Sequence, residues 1–311
     1  MNNIITSLLK HQQKFPHGIG LILSVLILGI TSNSSPVQAK TLEPVQSVAA
    51  AVKESQISLK QQQQRQSRTA NSLAQKVQIG ETVPSNAPTE LKNFLTQMDA
   101  AASQGNIKGV MQLYSPNFTH GDGLNPQSLE KSLLALWKRY PQLRYSTQLQ
   151  SWKAEGNVIV AETVTNITGL PSANSNDLAL NATIKSRQRI QGAKIVYQEI
   201  VSERSLLTSG NKPPQVDVNL PQQVKVGQQY SFDAIVKEPL GDDFLLGTAL
   251  EEPVQISQYL NPTSVDLELL TSGGVFKVGR APSTPGNHWV SAVILRGGGI
   301  TMVTQRLQVV R

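Results

Sequence analysis

No cysteine occurs in the 311 residues. That excludes a disulfide framework, thiolate metal sites and a nucleophilic thiol. Aromatic residues make up only 5% of the chain and histidines number four. So few rings give little on which to stack nucleic-acid bases. Beyond residue 39 the only histidines are His120 and His288, which is thin material for a metal centre, and no metal or cofactor is expected. A long apolar run is also missing. The N-terminal stretch 18–30 (GIGLILSVLILGI) has 13 residues, whereas a membrane-spanning helix needs about 20.

That short run fits an export signal instead. Lys10 and Lys14 precede it, no acid occurs before Glu43, and Val37-Gln38-Ala39 presents small residues at the positions a signal peptidase reads. Residues 1–39 are therefore expected to be a signal peptide cleaved after Ala39. The other reading, a retained anchor, is disfavoured by the length of the run. The mature chain would be exported to a periplasm or an equivalent lumen, or secreted, with no stable membrane anchor.

The net charge of +7 is concentrated near the N-terminus. Residues 87–311 hold 20 Lys/Arg against 18 Asp/Glu. A nucleic-acid binder would carry its basic residues on the folded surface, so no nucleic-acid partner is expected. Residues 40–86 are rich in Gln, Ser, Lys and Arg and contain no aromatic residue. They read as a disordered linker, because they cannot bury enough surface to offset ordering.

From Ala87-Pro88 the apolar spacing is helical. Leu91, Phe94, Leu95, Met98 and Ala102 share one face, and Gly105 ends the segment. Ile107, Val110, Met111 and Tyr114 mark a second short helix, broken at Ser115-Pro116-Asn117. Phe118-Thr119-His120 then enters a Gly121-Asp122-Gly123 corner. Asn125-Pro126 starts a third helix striped by Leu129, Leu133, Leu136, Trp137 and Tyr140. The period then drops to two, which gives strands near 143–149, 158–168, 178–190 and 194–202. Three helices followed by an antiparallel meander make an α+β unit, 87–212, with the helices on one face of the sheet.

The residues Ser103-Gln104-Gly105-Asn106, the run from Val110 to Phe118, the Gly-Asp-Gly corner and the helix-then-meander order together resemble the nuclear transport factor 2-like superfamily, which includes SnoaL-type cyclases and ketosteroid isomerase. The resemblance covers about 88–206. It implies a cone of three helices packed on a curved antiparallel sheet, a pocket at its open end, and a homodimer. Met98, Tyr114, Phe118, His120, Asp122 and Trp137 would line that pocket. Against the isomerase pattern Tyr114, Thr119 and Asp122 align, and Asp122 takes the position of the general base. The positions of the oxyanion donors fall near Met98 and near Lys185 or Ser186, which departs from that pattern. Read from its own surroundings, Asp122 is a turn former that binds its own backbone.

After Lys212-Pro213-Pro214 come only short strands, near 216–219, 229–237, 243–249, 265–270, 275–278, 288–295 and 301–309, separated by Gly/Pro/Asn/Asp clusters. The pattern is that of a β-sandwich, immunoglobulin-like in spacing alone, for 213–311. No Ser-His-Asp or Cys-His set is present. The composite reading is an exported, non-catalytic binding or interaction protein. A small apolar ligand, or dimerisation, belongs to the first unit and a protein partner to the second. The alternatives are an isomerase-type enzyme using Asp122 and an envelope-associated structural protein.

Overall fold

Three helices come first. They are α1 (Thr89–Ser103), α2 (Ile107–Gln112) and, after strand β1 (Tyr114–His120), α3 (Pro126–Arg139). These boundaries come from a computed structural model, which describes residues 84–311 apart from 85, 141, 170–177, 242 and 261–264. The expected signal segment and linker lie outside the described residues, as does most of the loop before residue 178. Local chemistry sets the helix starts. Asn106 caps α2 through Gly109 N–H, and Asn125 with Ser128 closes a reciprocal capping box on α3, where Pro126 supplies a preset φ.

The meander follows as β2 (Leu143–Glu155), β3 (Val158–Gly169), β4 (Ala179–Gln191) and β5 (Lys194–Ser209). Alternation decides its faces. On β4 the even-numbered residues 180 to 190 are buried under the helices, and the odd ones turn outward. Arg187 and Arg189 therefore stand outside, paired with Glu162 and Glu199 and with Glu155 respectively.

The remaining elements are β6 (Val216–Asn219), β7 (Gln223–Lys225), β8 (Gln229–Val236), β9 (Leu246–Pro253), α4 (Ile256–Leu260), β10 (Glu268–Leu269), β11 (Gly274–Arg280), β12 (Gly286–Arg296) and β13 (Gly299–Val310). They do not build a free-standing immunoglobulin-like sandwich, and here the sequence expectation is corrected. The main path of one sheet runs β10-β9-β12-β13-β5-β4-β3-β2, with β1 against β5 and β7 against β13. A second sheet, β11-β8-β6, packs on this shared layer. β5 is seven residues longer than its expected end, and Arg204–Ser209 pairs with Ile300–Gln305. The described residues from 84 to 311 accordingly belong to one unit.

β12 shows why the shared sheet is favoured. Trp289 and Val293 join the core beneath α3, while Val290, Ala292 and Ile294 join the core beneath the second sheet. A strand apolar on both faces needs cover on both. The α+β expectation holds: the chain is mostly antiparallel sheet with few helices. Three elements were not expected from the sequence: β1, β7 and α4. No described helix is long and apolar enough to cross a membrane.

Candidate functional site

β1 and β13 use the same edge of β5 in succession. β1 runs parallel to it as far as His120, opposite Gln198, and β13 takes over from Arg204. The 121–124 corner turns away at that junction, with Gly123 at φ +85°, a conformation that disfavours side chains. Arg306 lies one residue beyond the β13–β5 pairing, so the corner and the arginine meet.

Asp122 is consequently neither a free base nor a carboxylate bound to its own turn. Arg306 grips it with two bonds, Nη1 to Oδ1 at 2.9 Å and Nη2 to Oδ2 at 2.8 Å. The Tyr259 hydroxyl donates to Oδ2 at 2.7 Å. Burial alone would raise the Asp122 carboxyl, but Arg306 and Tyr259 outweigh it and hold the group below its ordinary range. The same guanidinium reaches Glu203 Oε2 at 3.0 Å, and Trp289 Nε1 donates to that oxygen at 3.1 Å. Burial dominates at Glu203 and leaves its carboxyl raised. Arg306 is penalised by burial, yet Glu203 and Asp122 raise it further and keep it a cation. The Tyr259 ring stands edge-on to Trp289 with centroids 4.9 Å apart. One buried arginine thus ties the corner to β5, β13 and, through the two aromatic residues, to β12 and α4.

His120 sits next to this cluster and is neutral. Burial lowers its pKa to about 4, against the opposing pull of Asp122. Its Nδ1 accepts the Asp122 backbone N–H at 3.0 Å, so the ring's own proton is on Nε2.

Between the helices and the face of the sheet they cover lies a cavity of about 130 Å³. Apolar walls come from Phe94, Leu95, Leu129 and Ile195, and polar lining from Gln188, Gln198 and Thr147. Of the residues expected from the sequence, Met98, Tyr114 and His120 line it. Phe118 is packed into the core beside Tyr114, their rings edge-on at 4.8 Å. Trp137 lies behind the lining and donates to the Tyr145 hydroxyl at 3.0 Å. Asp122 borders a different space, an outer polar cleft shared with Tyr197, Glu199 and Asn287. Among the described residues no group of three His/Cys/Asp/Glu is placed to hold a metal.

Arg306, Glu203 and Tyr259 were missed by the sequence reading. A usable signal existed for the first. Met302, Thr304 and Arg306 share a strand face, and a charge near the end of such a strand, opposite Trp289, asks for a buried counter-charge.

A family model described as "Domain of unknown function (DUF8623)" matches residues 211–310. No curated protein matches the chain. Among solved structures the chain is similar to AclR of Streptomyces galilaeus, at 17% identity over 37% of this chain and 90% of that one, with a TM-score of 0.30. An epoxide hydrolase of the LEH-like type from Mycobacterium tuberculosis is similar at 11% identity over 36% and 81%, TM-score 0.27. TsrD of Streptomyces laurentii is similar at 11% identity over 37% and 90%, TM-score 0.29.

Proposed function

We propose that the chain is an exported, non-catalytic binding protein whose nuclear transport factor 2-like unit holds a small, mostly apolar molecule in the cavity under its helices. The C-terminal strands supply a sandwich-like face for a protein partner, and the unit acts as a homodimer. Cleavage after Ala39 would release the mature form into a periplasm or equivalent lumen.

One observation carries the non-catalytic part: the carboxylate at the expected base position is locked by Arg306. A general base needs a pKa near the working pH and a free lone pair aimed at substrate. Asp122 has a lowered pKa and borders the outer cleft rather than the apolar cavity. The cavity itself is close to the size of an engineered space of about 150 Å³ that takes up benzene.

Filling the space tests the reading. Ser186 is buried and lines the cavity, so Ser186→Leu should intrude on it. Toluene and benzyl alcohol at millimolar concentration are expected to raise the melting temperature of the wild type, and Ser186→Leu should weaken both effects about tenfold. If the wild type binds nothing in such a panel, the reading is wrong.

A further inference from the structure

Three cavity-lining side chains form one row across three strands. His120 on β1 faces Gln198 on β5, and Gln198 faces Gln188 on β4. Their hydrogen bonds are unequally filled. Gln198 Oε1 accepts the Tyr114 hydroxyl at 3.1 Å. His120 Nδ1 is taken by the Asp122 amide. Gln188 is only 8% exposed, and its Oε1 has no partner among the described residues. A buried acceptor without a donor is costly, and native proteins rarely leave one without a reason.

Resting on the reading of the cavity as a binding site, we infer that its ligand is an uncharged molecule with a hydroxyl or amide N–H that donates to Gln188 Oε1 and a short apolar body set against the helices. The row holds no formal charge, because His120 is neutral and Asp122 is neutralised by Arg306. A carboxylate carries no proton to give the Gln188 oxygen, and it would shed its hydration with no cation in the row. An ammonium would shed its hydration beside apolar walls with no free counter-charge in the row. Asp99, the one carboxylate in the lining, is occupied by the Thr147 N–H and hydroxyl at 2.6 Å each. Thr147 in turn bonds Thr165, whose partner on β4 is Ile184 rather than Gln188.

Titration calorimetry of the full chain with toluene, benzyl alcohol, benzylamine and benzoate tests this. Benzyl alcohol should bind about tenfold more tightly than the other three, roughly the worth of one neutral hydrogen bond to an otherwise unpaired group. In Gln188→Leu that preference over toluene should vanish, with toluene binding at least as well as before. Should that variant fail to fold, Gln188→Met keeps the side-chain length and serves the same comparison. Equal affinity for toluene and benzyl alcohol in the wild type overturns the inference but leaves the binding reading standing. So does a preference for either charged ligand, or a preference for benzyl alcohol that survives the loss of Gln188. Absence of binding by all four removes both.

Discussion

Replacing Arg306 with methionine is expected to destabilise the protein by about 3–5 kcal/mol, the usual cost of leaving a buried charge without its partner. The methionine would fill part of the arginine stem but none of its five donors. Asp122 would lose both guanidinium bonds and Glu203 the cation bonded to it. What remains is Tyr259, with a long bond from Asn287, for Asp122 and Trp289 for Glu203. Urea unfolding of Arg306→Met measures the loss. Converting the two acids as well, in a triple variant with Asp122→Asn and Glu203→Gln, should recover most of it, because the uncompensated charges are then gone. A single-site cost below about 1 kcal/mol would mean the cluster is wetter and weaker than its burial implies.

Removing everything after residue 212 should have a still larger effect. The 84–212 fragment is expected not to fold cooperatively, although it holds every residue of the family resemblance. Truncation exposes the edge of β5 from Arg204 to Ser209, strips Trp289, Val293, Ile300 and Met302 from the core beneath α3, and leaves Glu203 facing no cation. Four large apolar side chains lost from one core, at about 1.5–3 kcal/mol each, rival the whole stability of about 5–15 kcal/mol typical of a domain. Amide dispersion in a nitrogen–proton correlation spectrum gives the readout. A well-dispersed spectrum for the fragment would show that the shared sheet is a docked contact rather than a common core.

The helices and the meander were legible in the sequence because each obeys one period. α1 and α3 carry apolar residues every three to four positions, and β4 alternates through its whole length. β1 was hidden by its own composition. Ser115-Pro116-Asn117 reads as a break, yet the chain there runs as a parallel strand whose register with β5 shifts between Tyr114 and Thr119. α4 is five residues long, too short for a helical period to show. The shared sheet lay beyond local patterning altogether, since the pairing of β5 with β13 joins residues about a hundred positions apart. The cavity was half legible. Met98, Tyr114 and His120 came from the resemblance, whereas Gln188 and Gln198 depend on which face of the sheet the helices cover. Asp122 was found for the wrong reason: its position is distinctive, but the arginine that defines its chemistry sits 184 residues away.

That carboxylate decides between a locked counter-ion and a catalytic base, and its titration can be followed directly by carbon-13 NMR of the Asp122 side chain. A group whose folded pKa is lowered contributes stability above the ordinary aspartate range and loses it as pH falls through the folded value. Asp122 is therefore expected to stay ionised from pH 7 down past about 3.9, the unperturbed value, and to protonate only as the fold begins to fail in acid. A titration midpoint near pH 6 or above in the folded protein would contradict the Arg306 lock and return Asp122 to the role of a base.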